Sequence, residues 1–113
     1  MKDKPAIETK AVELLQSILD HAAEVGADTV DLERVPEGLE SLFGVGHTAV
    51  GGLLETPELE RPLIRLLVRR ARLNRKSGGN FRWDIQGQSR TIAVEEYDSF
   101  GEACFRLKLG GSG

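Results

Sequence analysis

The chain predicts an α+β domain: an antiparallel sheet of five to six strands with two helices, in the order α-β-β-(β)-α-β-β-β. Three observations carry this. Apolar residues recur at steps of three and four over residues 5–25 and again over 62–73, which is the helical period. Residues 77–109 alternate apolar and polar with a period of two, broken twice by turn residues, as three one-sided strands require. Shorter alternations precede the second helix. A meander with one apolar face cannot hide that face alone, so the helices must cover it.

In the first helix, Ile7, Ala11, Leu14, Leu15, Ile18, Ala22 and Val25 form the apolar face. Pro5 suits the first turn, where its missing N–H would be unpaired anyway, and Glu8 lies near the positive end of the helix dipole. Gly26 ends the helix. Thr29–Glu33 reads as a short strand, Pro36-Glu37-Gly38 as a turn, and Leu39–Val45 as a second strand weakened by Gly44 and Gly46. From His47 to Leu54 two readings stand: a third strand interrupted by Gly51-Gly52, or a loop. Thr56-Pro57-Glu58 opens a short turn over 57–60. Pro62 would remove a hydrogen bond inside a helix, so the main helix is expected from about Pro62 to Leu73, burying Ile64, Leu67, Val68 and Ala71. Ser77-Gly78-Gly79 leads into the meander. There Phe81, Trp83 and Ile85, then Ile92 and Val94, then Ala103, Phe105, Leu107 and Leu109 form the apolar face. Gln86-Gly87-Gln88 and Asp98-Ser99-Phe100-Gly101 are its turns. Residues 1–109 read as one domain, and Gly110-Gly111-Ser112-Gly113 as a flexible tail or a cloning remnant.

With 113 residues there is room for one core. No apolar run approaches the roughly 20 residues that span a bilayer, so membrane insertion is not expected. The N-terminus lacks a signal peptide's apolar segment, and a single cysteine, Cys104, permits no internal disulfide. A cytoplasmic location and an inert strand thiol are the expectations. The net charge of −3 conceals an asymmetry. Residues 1–60 hold 13 acids and 4 bases, residues 61–76 hold seven bases and no acids, and the remainder holds five acids and four bases.

Gly26-Ala27-Asp28-Thr29-Val30-Asp31-Leu32-Glu33, Glu37-Gly38-Leu39, Gly79-Asn80-Phe81-Arg82-Trp83-Asp84-Ile85 and Gly101-Glu102-Ala103-Cys104-Phe105-Arg106-Leu107 occur in an informative order. Together they resemble the N-terminal domain of the type II secretion and type IV pilus assembly ATPases, which precedes the motor domain. The resemblance covers nearly the whole chain and implies a PAS-like α+β fold. It also implies a protein partner belonging to a secretion or pilus apparatus. Three departures bear on function. Thr29 and Asp31 stand where the family has an aspartate-histidine pair. Val94-Glu95-Glu96-Tyr97-Asp98 replaces a segment whose arginine helps to neutralise nucleotide phosphate, and Asn80 replaces a second arginine. No motor domain or phosphate-binding loop occurs in these residues, and acids where phosphate would approach are unfavourable.

The candidate sites are few. Gly44-x-Gly46 with Gly51-Gly52 lacks the Lys-Ser/Thr of a phosphate-binding loop. His21, His47 and Cys104 lie too far apart in sequence to suggest zinc. No catalytic residue, nucleotide site, metal or cofactor is expected. Arg61, Arg65, Arg69, Arg72 and Lys76 follow at steps of four, four, three and four, with Arg70 and Arg75 beside them. They form the candidate partner-binding stripe, to be weighed against a solvated face opposing the domain's own acidic half. The leading expectation is a non-catalytic protein-interaction domain. A PAS-like domain sensing a small ligand or nucleotide is the alternative. Nucleic-acid binding through helix 61–76 is the second alternative, weakened by an acidic chain without an aromatic stacking platform.

Overall fold

The computed structural model describes residues 3–74, 76–99 and 101–112. Helix α1 (Asp3–Glu24) is followed by strands β1 (Thr29–Val35), β2 (Gly38–Val45) and β3 (Thr48–Leu53). A 3-10 turn at Pro57–Leu59 leads into helix α2 (Glu60–Ala71), and strands β4 (Gly78–Ile85), β5 (Gln88–Ser99) and β6 (Glu102–Ser112) complete the chain. The fold is α+β, with two helices and a six-stranded antiparallel sheet in the order β3-β2-β1-β6-β5-β4. It comprises two three-stranded meanders, joined where β1 pairs with β6: Val30 lies opposite Leu107 and Leu32 opposite Phe105.

Both helices lie on one face of the sheet and pack against each other and against β4. Beneath them are Val30, Leu32, Phe81, Trp83, Ile85, Ile92, Val94, Phe105 and Leu107, all buried. Trp83 packs edge-on to Phe81, with ring centroids 5.8 Å apart, and donates its indole N–H to Gln16 of α1 at 3.0 Å. The alternation in the meander therefore places its apolar face as expected. The register of the β4–β5 hairpin follows from Gln86 and Gly87, both at positive φ (51° and 82°), the backbone a tight two-residue hairpin favours.

Several boundaries differ from expectation, each for a physical reason. Of the two readings for residues 47–54 the strand holds, over Thr48–Leu53, because β2 supplies a complete antiparallel ladder from Glu40–Leu53 to Val45–Thr48. Helix α2 starts at Glu60, so Pro62 falls in its first turn, where no intrahelical bond is lost. It ends at Ala71: Arg72 is left-handed (φ 58°), and the N–H groups of Arg72 and Leu73 both reach the Val68 carbonyl. The next residue, Leu73, is buried, as in a Schellman-type stop. The helix buries Leu63, Leu66, Leu67 and Ala71, while Ile64 and Val68 are only half-buried.

In α1, Leu19 joins the core, whereas Ile7 and, just past the helix end, Val25 are exposed. Ala103 is exposed because it lies past the covered part of β6, while Cys104 is buried on the opposite face, in register with Tyr97. Residues 110–112 are no tail. Strand β6 continues to Ser112, opposite Arg90, and the Arg90 Nε–H donates to the Gly110 carbonyl at 2.6 Å. Phe100 of the second expected turn, and Gly113, lie outside the described residues.

Candidate partner-binding groove

The basic residues separate into unlike environments. Because α2 stops at Ala71, the stripe keeps its helical spacing only through Arg61, Arg65 and Arg69. Arg72 is exposed in the left-handed stop, Lys76 is exposed in the link to β4, and Arg75 lies outside the described residues. Arg70 is turned to the sheet, its guanidinium 5.1 Å from the Trp83 ring centre, a cation–π contact that belongs to the fold.

Arg61, Arg65 and Arg69 form one wall of a groove of about 400 Å3 between the helices. Its opposite wall is the first part of α1, with Ile7, Glu8 and Ala11, while Leu66 and Pro62 line it from α2 and Glu58 stands at one end. The spacing explains the geometry. Positions 61, 65 and 69 lie one above another on a helix, and so do 7 and 11, so a ridge from each helix lines the trough. Ile7, which the apolar period assigns to the core, is 40% exposed in this trough. The only ion pair across it, among the described residues, joins Arg69 to Glu8 at 3.7 Å with both side chains largely exposed. Such a pair contributes little. Arg61 and Arg65 form no ion pair among the described residues. The groove thus combines apolar surface with two guanidinium groups that form no ion pair among the described residues, features suited to an apolar ligand segment bearing acids.

The other charged pairs are built into the fold. Arg34 Nη1 reaches Glu60 at 2.8 Å, tying the end of β1 to the start of α2. On the uncovered face of the sheet, Arg106 makes a two-pronged contact with Asp31, at 2.8 and 3.0 Å, and lies 5.5 Å from the Tyr97 ring centre. The Tyr97 hydroxyl donates to Glu33 at 2.9 Å. Burial, then this hydrogen bond to Glu33 and the nearby Asp31, push the Tyr97 hydroxyl well above the usual tyrosine range. Burial, with Glu33, Asp98 and Asp31 around it, likewise raises the Cys104 thiol, leaving it protonated at neutral pH and a poor nucleophile.

The remaining sequence candidates are dispersed. His21 meets Phe43 edge-on, with centroids 4.9 Å apart, and His47 is exposed in the β2–β3 turn. Gly44, Gly51 and Gly52 belong to the paired strands of that hairpin, so they form no loop that could wrap a phosphate. Glu95 and Glu96, being adjacent on a strand, face opposite sides of the sheet. No group of three or more His, Cys, Asp or Glu among the described residues could hold a metal ion. No described helix is long and apolar enough to cross a membrane.

The α1 wall of the groove escaped sequence reasoning. Its one local signal is Ile7, which stands beside Glu8 at the N-terminal end of the apolar stripe; which helix would lie beside it was not encoded locally. No family model matches the chain, and no curated protein matches it either.

Proposed function

We propose that this is a non-catalytic protein-interaction domain, and that the α1–α2 groove receives an acidic, amphipathic segment of a partner protein. The observation that carries this reading is the pairing of unlike surfaces in one trough: Ile7, Ala11 and Leu66 beside Arg61, Arg65 and Arg69. An amphipathic helix would set apolar anchors on the floor and carboxylates on the arginine wall. Opposed charge would mainly speed encounter and set orientation, with affinity coming from the buried anchors. The resemblance of the sequence to the N-terminal domain of secretion and pilus assembly ATPases suggests a component of such an apparatus, in the cytoplasm, as the partner.

The test is a titration of isotopically labelled protein with designed helical peptides. One carries Leu at every third or fourth position and Glu on one flank, and its control has Lys in place of Glu. The acidic peptide should shift amide signals of residues 7–11 and 61–69, and more weakly at high salt, where exposed charges are screened. Arg61→Glu with Arg65→Glu should remove that binding while the spectrum of the fold persists. Shifts confined to other surfaces, or equal binding of the Lys peptide, would refute the reading. A second reading has one observation behind it: about 400 Å3 is within the range of small-ligand sites. In that case an anionic amphiphile such as dodecanoate would raise the melting temperature with concentration, and the peptide would compete with it.

A further inference from the structure

Strand β3 is the outermost strand beside β2, and its free edge is open. The phase of its backbone is set by two bonds: the Leu54 N–H donates to the Leu39 carbonyl at 2.9 Å, and the Ser41 hydroxyl donates to the Gly52 carbonyl at 3.5 Å. Even-numbered residues therefore turn their backbone groups to β2, and Ala49, Gly51 and Leu53 turn theirs outward. All of β3 is exposed, with Val50 at 61% and Leu53 at 46%. Thr48–Leu53 contains no charge and no proline, so the usual protections of an edge strand are missing. The opposite edge strand, β4, carries Arg82 and Asp84.

We propose that β3 is a self-association edge: two copies of the chain pair β3 to β3, antiparallel, about a twofold axis at Gly51. The register follows from the phase just described. Ala49 lies opposite Leu53 of the second copy and Gly51 opposite itself, so the outward N–H and C=O groups of all three residues find partners. Residues of equal parity meet, so both helical layers fall on the same side of one continuous sheet. Across the axis Ala49 meets Leu53 and Val50 meets Gly52, and as Thr48–Leu53 holds no charge, no ionised side chain is brought against another where the two strands pair. Just beyond the strand, the same register sets His47 towards Glu55 of the second copy. Pairing of β3 with a β4 edge would be head-to-tail and propagate, whereas β3 with β3 occupies both β3 edges and stops at two copies. This inference is independent of the groove between the helices.

Sedimentation of the wild-type chain from about 1 µM to about 1 mM should show the mass rising from 12.4 kDa towards twice that value. Ala49→Pro removes an outward N–H and leaves the bonds to β2, so it should weaken association at least about tenfold with unchanged circular dichroism. Val50→Lys, at a position already open to water, should do the same and stands in if the proline variant misfolds. The register has its own test. Val50→Cys with Gly52→Cys places thiols opposite each other across the axis, and a Cβ at Gly52 meets nothing within 4 Å. Oxidation should give a covalent dimer. A wild-type chain monomeric throughout, a dimer indifferent to both Ala49→Pro and Val50→Lys, or no cross-link from the cysteine pair would each overturn the proposal.

Discussion

The two three-stranded meanders share a sheet but hold their strands in different ways. In the middle of β4-β5-β6 the alternating residues Phe81, Trp83, Ile85, Ile92, Val94, Phe105 and Leu107 are sealed beneath the helices. In β1-β2-β3 the cover thins outward. Val30 and Leu32 of β1 are completely buried, β2 alternates between buried and half-buried, and β3 is exposed along its length. Two helices on one face do not reach across six strands, and they lie over the second meander and the seam. The second meander therefore derives its stability from burial. The outer part of the first depends on its backbone ladder and on its neighbour, which makes it the part available for association.

The two meanders should differ most under a pair of truncations. Trp83→Ala should cost about 3–5 kcal/mol in urea unfolding, the range for a buried aromatic. Val50→Ala should change stability by no more than about 0.5 kcal/mol. Equal losses would mean that β3 is held by burial after all.

Two glycines divide along the same line. A Cβ at Gly79 would run into the backbone carbonyl of Ala71, where the end of α2 crosses β4, while Gly52 has open space. Gly79→Ala should therefore cost about 1–3 kcal/mol, the usual penalty of overpacking. Gly52→Ala, measured alongside at low protein concentration, should stay within about 0.5 kcal/mol of the parent.

The seam between the meanders has a pH signature. In the folded state Tyr97 is held protonated beyond its ordinary value of about 10 by burial and by its bond to Glu33. A group whose pKa is raised on folding stabilises the fold below its unfolded value and loses that contribution as pH rises towards the folded one. Cys104 has the same sign and begins at lower pH. Wild-type stability should therefore decline above about pH 9, and more steeply above about pH 10. Tyr97→Phe should be less stable near neutral pH and lose its deficit in the alkaline range. A deficit that stays constant across the titration would show that the hydroxyl does not govern the effect.

The smallest effect is expected in the groove. Reversing Arg65 and Arg69 to Glu touches only the exposed pair with Glu8, so the melting curve should move by less than about 1 kcal/mol. A cooperative loss of the fold would make these arginines structural and withdraw them from partner binding.

Much of the domain was determined by residues read in order. Helix α1, the three strands of the second meander, the Gln86-Gly87 turn and the buried face of Trp83 all follow from periodicity and turn chemistry, which act within a few residues. The tertiary structure decided what depends on distant partners. A glycine-rich segment became β3 because β2 offers a ladder, and Gly110-Gly111-Ser112 became the end of β6 because β5 does. The first strand and the last meet at the centre, Val30 on Leu107, a pairing between residues 77 positions apart that no local pattern specifies. The basic residues show the limit most clearly. Their spacing suggests one stripe from Arg61 to Lys76, but the left-handed turn at Arg72 ends the helix and retains only the first three as a wall. Local spacing sets where side chains would point if a helix continued. Where it stops, and which surface then faces those side chains, depends on long-range packing.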